Sequence, residues 1–162
     1  MDNLIDWQPG SSGLYQPMNV NEARIRGLEL SNGVETNGWR ADLALTFLDP
    51  ENRNTGNDLE HRSTQTLRLD ISKQMGVFSL GGTVVAANHR FNDAENEERL
   101  PGYGTLDLRA GWDFAPGWSS KLSVDNVFDN ERKTAKRSVY SGGGYYVTAG
   151  RTAMLTVRYD FQ

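Results

Sequence analysis

Hydrophobic and polar residues alternate with a period of two along most of the chain. The pattern is clearest near the C-terminus, where Ala153, Leu155, Val157, Tyr159 and Phe161 interleave with Met154, Thr156, Arg158 and Asp160. A period of two sends successive side chains to opposite faces of a strand. This stretch therefore predicts a strand with one apolar face ending in aromatics and one face carrying an Arg and an Asp. Leu4–Trp7 reads as the tail of a first strand. Val20–Leu30 reads as a second, with the Gly27–Leu28 step breaking parity as at a bulge. A third is predicted over Trp39–Phe47, with Trp39, Ala41, Leu43, Leu45 and Phe47 against Arg40, Asp42, Ala44 and Thr46. Thr66–Lys73, Phe78–Ala86, Leu106–Phe114 and Trp118–Asp125 repeat the alternation before the closing strand Ala153–Phe161. Eight strands without helical periodicity predict an all-β, antiparallel fold.

The connections sort the two ends of these strands. Short turns at Asn32–Gly38, Gln74–Gly76 and Ala115–Gly117 alternate with long loops at Gln8–Met18, Asp49–Ser63, Asn92–Gly102 and Asp129–Thr148. Tight turns on one side and long loops on the other characterise transmembrane β-barrels of the outer membrane. Trp39, Phe78, Phe114, Trp118, Tyr159 and Phe161 all lie on the apolar face beside a short turn or the C-terminus. Such a grouping is expected where amphipathic rings line a membrane interface. Two alternatives stay open. One is a self-contained eight-stranded outer-membrane barrel with a structural or adhesive role, its interior filled by side chains. The other is a soluble β-sandwich that binds sugar or protein through its loops; it also alternates, but gives no reason for loop lengths to alternate by side.

Composition narrows the chemistry. The 162 residues suffice for one domain with a sizeable core. With 17 basic and 21 acidic residues the net charge is −4, which argues against a nucleic-acid partner. No cysteine is present, so disulfides, thiol nucleophiles and thiolate metal sites are excluded. No apolar run approaches the roughly 20 residues of a spanning helix. The stretch Met1–Asp6 lacks a basic segment, an apolar core and a cleavage site. The expectation is a chain without a signal peptide that begins inside a longer protein.

Charges recur on the polar face: Arg40 with Asp42, Arg68 with Asp70, Asp107 with Arg109, and Arg158 with Asp160. In lipid each would cost several kcal/mol, so they are expected to face a wet, paired interior, the lumen of a barrel. Either neighbouring strands pair them as a plain wall, or they hold an internal domain or line a route. No catalytic constellation is recognisable, and an enzyme is not expected. His61 and His89 are the only histidines and lie far apart. The acidic runs Asp49–Glu60 and Asp93–Glu98 offer oxygens for weak calcium binding, but the first lacks EF-hand spacing, with Arg53 where an oxygen ligand belongs; solvated loops are the favoured reading and no metal is expected. Loop Tyr140–Tyr146 sets Tyr140, Tyr145 and Tyr146 around Gly142–Gly144. That composition, adaptable backbone with rigid amphipathic rings, suits ligand contact.

Leu122-Ser-Val-Asp-Asn126-Val-Phe128-Asp129 resembles the Asn-Leu-Phe-Asp signature near the C-terminus of TonB-dependent outer-membrane receptors. Ala149-Gly150-Arg151, with the alternation to Tyr159-Asp160-Phe161, resembles their final strand. Ala23-Arg24-Ile25-Arg26-Gly27-Leu28-Glu29 resembles their recurring Ala-x-Ile-x-Gly-Val-Glu strand. Leu4–Trp7 and Thr148–Arg151 are most similar to the cobalamin-receptor branch. The resemblance implies that residues 1–162 form one segment, the C-terminal strands of a barrel of about 22 strands, with the plug domain absent. It implies uptake of cobalamin or an iron siderophore as transported ligand, with no resident cofactor. It implies outer-membrane lipid, the barrel assembly machinery, and the TonB complex through the missing plug region as partners. His61 and Arg62, which begins the strand after loop Asp49–Ser63, are implied as rim contacts to ligand or plug. The chain departs from the family in having Arg132, within the basic stretch Arg132–Arg137, where an aromatic is frequent. It departs again in placing Gln162 after Phe161.

Overall fold

The computed structural model describes residues 2–10, 13–137 and 142–161. Among them are the strands β1 (Asp2–Pro9), β2 (Tyr15–Thr36), β3 (Trp39–Asn52), β4 (Gln65–Met75), β5 (Phe78–Ala87), β6 (Arg90–Phe91), β7 (Arg99–Leu100), β8 (Tyr103–Ala115), β9 (Trp118–Asp125), β10 (Lys133–Lys136), β11 (Tyr145–Val147) and β12 (Thr152–Tyr159). Eight of them form one antiparallel sheet in the order β1-β2-β3-β4-β5-β8-β9-β12. The pairs β6–β7 and β10–β11 are separate ribbons within two of the long loops. The eight predicted strands are therefore those of the main sheet, and the ribbons were hidden in segments too short to alternate.

The short connections are tighter than the sequence suggested. β2 continues to Thr36 opposite Trp39, which leaves Asn37 and Gly38 as a two-residue turn. Both have positive φ, 48° and 76°, as a type I′ hairpin turn requires, and the twist of that turn matches the strands it joins. Gly76–Val77 and Pro116–Gly117 make the other two tight turns, closed by the pairs Met75↔Phe78 and Ala115↔Trp118. β1 is also longer than expected and pairs with β2 from Asp2↔Glu22 to Pro9↔Tyr15.

The bulge expected at Gly27–Leu28 is absent. The β2–β3 register runs unbroken from Ala23↔Asn52 to Thr36↔Trp39. Parity seemed to break because the face that carries Leu28, Leu30 and Val34 becomes charged towards the loop end. There Arg24 lies opposite and ion-paired to Glu51, and Arg26 lies opposite Asp49. The apolar face is thus a band of finite height, capped by cross-strand charges. Within the main sheet the register shifts between β8 and β9, at Trp112–Ala115.

The apolar band has no protein against it. Leu28, Leu80, Leu122 and Leu155 are 55, 52, 49 and 68% exposed, while the buried apolar residues among those described are Ala23, Leu59, Ala87 and Leu100. A large apolar side chain left in water forgoes about 1.5–3 kcal/mol relative to burial, so a face of this extent requires an apolar surrounding. A β-sandwich would supply it with a second sheet about 10 Å away. No such layer exists among the described residues, which overturns the soluble-sandwich alternative. β1 and β12 stand at opposite ends of the strand order. A self-contained eight-stranded barrel needs those two paired, and the sheet remains open.

Where β9 gives way to its loop, the Asn126–Asp129 motif works as a clasp. Asn126 is buried with φ of 52°, and its N–H donates to Asp107 Oδ1 at 2.8 Å. Its side chain exchanges bonds with the Asn130 backbone, Nδ2 to O and N to Oδ1, both 3.0 Å. Asp129 then accepts the Arg151 N–H at 2.7 Å, so the loop's departure and return are fastened together. A Cβ on Gly150 would lie 2.6 Å from Asp129 Oδ1 and would push that carboxylate off the Arg151 N–H. Asn126→Ala strips a buried backbone loop of its partners and is expected to cost about 1–3 kcal/mol, read as a lower thermal unfolding midpoint in detergent. The exposed Glu131→Ala should stay within about 0.5 kcal/mol; equal effects of the two would show that the clasp contributes nothing.

Candidate functional site

The charged face of the sheet presents the predicted charges in unequal ways. Arg40 pairs with Asp42 along its own strand (2.8 Å), and Arg158 pairs with Asp160 likewise (2.6 Å). Arg109 does not pair with Asp107, whose carboxylate holds Asn126 instead. It reaches two strands away, donating Nη2 to Asp70 Oδ1 at 2.6 Å and Nη1 to Asp70 Oδ2 at 2.8 Å. Thr83, on the strand between, donates to Asp70 at 2.5 Å and accepts from Arg109 at 3.1 Å. Arg68 has no ion pair among the described residues.

Register explains this arrangement. Asp42 and Asp70 are directly opposed across β3 and β4, and like charges in that relation repel. Each is therefore neutralised by its own arginine. Arg109 can cross β5 only because its register partner there is Gly81. A Cβ on Gly81 would lie 2.7 Å from Arg109 Cζ. Glycine keeps that lane clear for a bidentate pair, the strong geometry for arginine and carboxylate.

Aromatics form a chain at the turn end of the apolar face. Phe78 stacks on Trp112 at 5.9 Å, Trp112 meets Phe114 at 5.4 Å, and Phe114 meets Trp118 at 6.0 Å. Trp118 continues to Tyr159 and Tyr159 to Phe161, each at 4.7 Å. Trp39 stands apart beneath the Lys73 ammonium, 5.1 Å from its ring centre. Trp112 was missed as a band member. Alternation already put it on the apolar face two residues before Phe114; its stacking on Phe78 needed the β5–β8 register.

At the opposite end the long loops bond to one another. Asn96 clasps Asp58 of the β3–β4 loop in both directions, at 2.8 and 2.9 Å. His61 donates its N–H to the Phe91 carbonyl (2.7 Å) and sets Nε2 3.3 Å from Asn92 Oδ1. That same oxygen accepts the Lys136 N–H at 2.8 Å. The Glu98 carboxylate, 2.8 Å from Lys136 Nζ, holds the ammonium above the usual lysine range. Fully enclosed Leu100 lies among the most deeply buried side chains. The β10–β11 ribbon backs its tyrosines with cations: Lys133 lies 4.5 Å from the Tyr145 ring and Arg137 lies 5.4 Å from the Tyr146 ring. Arg62 is exposed at this rim. Tyr140 falls outside the described residues. Arg90 and Tyr103 also converge here with Arg132. Sequence reasoning missed both because they flank a different loop from the basic stretch.

Arg109→Gln leaves two carboxylates facing each other across β3 and β4. The pair is partly exposed, so a loss near the lower end of about 1–3 kcal/mol is expected, against about 0.5 kcal/mol or less for Arg68→Gln. Thermal unfolding in detergent measures both. Gly81→Val should cost little more once Arg109 is already Gln, since coupled sites are non-additive; strict additivity would rule out the lane.

Residues 1–127 match the family described as TonB dependent receptor-like, beta-barrel. The vitamin B12 transporter BtuB of Photobacterium profundum is 28% identical over 153 residues, 92% of this chain and 25% of that protein. Among solved structures, the ferric yersiniabactin uptake receptor FyuA from Yersinia pestis superposes with a TM-score of 0.82 at 23% identity, covering 91% of this chain and 25% of that one. The copper transporter OprC superposes with a TM-score of 0.80 at 20% identity, covering 99% and 27%. The chain spans about a quarter of the length of the curated relatives it matches, 25 and 26%. The apolar band, the opposite charged face and the one-sided loops are thus features of a fold shared with these barrels. The chain belongs to the TonB dependent receptor-like β-barrel family and is a protein of the Gram-negative outer membrane.

Proposed function

We propose that the chain is the C-terminal segment of an outer-membrane receptor for TonB-dependent uptake of cobalamin or an iron siderophore. It supplies the last eight main strands of a barrel of about 22. The observation that carries this reading is the open sheet with an apolar band on one face, charges on the other, and free edges at β1 and β12. In hydrocarbon every backbone N–H and C=O needs a partner, and further strands on both edges would provide them. The family membership and the quarter-length match to receptor chains support the same conclusion.

In this reading the charged face lines the lumen, where Arg40, Asp42, Arg68, Asp70, Asp107, Arg109, Arg158 and Asp160 form a wall towards a plug domain. The chain of rings from Phe78 to Phe161, with Trp39, marks the periplasmic interface. The bonded loops stand outside the cell, and Tyr145, Tyr146, His61 and Arg62 belong to the rim that meets ligand. The chain transports rather than catalyses. Energy reaches it from the TonB complex through the plug, and the barrel assembly machinery folds it into outer-membrane lipid.

Uptake tests the reading. Cells lacking the whole receptor and complemented with it should accumulate labelled cyanocobalamin or a ferric siderophore only while the inner-membrane complex is energised. Residues 1–162 expressed alone should restore no accumulation. Uptake of neither ligand class, or accumulation independent of TonB, would defeat it.

A further inference from the structure

Arg90 occupies an unusual position for a cation. It is only 6% exposed, and no carboxylate among the described residues forms an ion pair with it. Its Nη2 donates to the carbonyls of Lys133 (2.6 Å) and Thr134 (3.4 Å), which fixes the side chain without neutralising it. A second cation shares its surroundings. Arg132 lies over the Tyr103 ring at 4.2 Å, and Arg90 approaches the same ring at 6.0 Å. Arg132 Nε is buried and has no hydrogen-bond partner. Burial, and after it the proximity of Arg132, holds the Arg90 guanidinium below the ordinary arginine range.

A buried charge costs several kcal/mol unless something of opposite sign compensates it. A second, half-buried guanidinium against the same ring compounds that cost. Stacking on Tyr103 returns only part of it. The missing element is an anion with several oxygens, because guanidinium forks bind carboxylate and phosphate in two-point fashion. The side on which it sits follows from alternation: Tyr103, Thr105, Asp107 and Arg109 share one face of β8. That is the charged face, opposite to the one that meets lipid.

We infer that Arg90, Arg132 and Tyr103 form an oxyanion-binding site at the loop end of the charged face, for a carboxylate or phosphate group. This deepens the receptor reading and rests on it for the source of the anion, an oxygen-rich ligand arriving from outside. The phosphates of lipopolysaccharide offer the same chemistry from the other face. The basic stretch that replaces an aromatic after the Asn126–Asp129 motif thereby gains a purpose, since Arg132 is its first residue.

The test is calorimetric titration of the purified full-length receptor in detergent with citrate, with inorganic phosphate, and with lipid A in mixed micelles. Citrate or phosphate binding that weakens with added salt is expected, with a loss of tenfold or more in Arg132→Gln and Arg90→Gln and less than threefold in Tyr103→Phe. Arg90→Gln risks misfolding because the residue is buried. Arg132→Gln therefore carries the test, with heat-modifiable migration on gels and the far-UV circular dichroism of the purified receptor in detergent as the control for a folded barrel. Citrate and phosphate binding unchanged in Arg132→Gln would overturn the site, as would its absence in the wild type. Arg132-dependent binding of lipid A alone would overturn the placement on the charged face. Cells that take up neither ligand class while citrate binding still depends on Arg132 would sink the receptor reading and leave the site standing.

Discussion

Strand register is the constraint on which the rest of the structure depends. A strand offers only two faces, and a slip of one residue exchanges them completely. Here that exchange would drive Asp70 and Arg109 into the apolar band and Leu69 and Leu108 into the charged wall. Three two-residue turns hold the register, and each sits at the same end of the sheet. The chain of rings gathers beside them. Order at that end follows from local chemistry, namely Asn37–Gly38 and its two counterparts together with aromatic packing between neighbouring strands.

The loop end is organised by different means. The connections there are long, so closure is entropically slack and turn chemistry cannot set it. Order comes from side-chain amides that imitate backbone, with Asn92, Asn96 and Asn130 each bridging segments far apart in sequence. Cations stacked on tyrosines add a second layer. The two ends thus divide the labour: one fixes the sheet, and the other builds a shaped surface upon it.

This division also decides what could be read from sequence. The eight main strands were legible because each alternates for several residues, and the face of every charge followed directly. The parity of β2 was misread because its apolar face ends in Arg24 and Arg26, whose partners Glu51 and Asp49 only register reveals. The partner of Arg109 was not legible either. Alternation put the arginine on the charged face for pairing by a neighbouring strand, but which carboxylate it meets, Asp70 two strands away across a glycine, follows only from register. Arg90 and Tyr103 left no local signal, since a lone arginine and a lone tyrosine in loop borders acquire meaning only when a third segment folds over them. The family signature at Asn126–Asp129 was recognisable as a string, but its role as a clasp needed coordinates.

That clasp separates two kinds of change. Because Asp129 grips the backbone at Arg151, the twenty-odd residues between them begin and end at fixed points. Substitutions and length changes inside that loop can reshape the outer surface without disturbing how β9 meets β12. A barrel wall built this way can stay constant while the loop above it is remade for a new ligand.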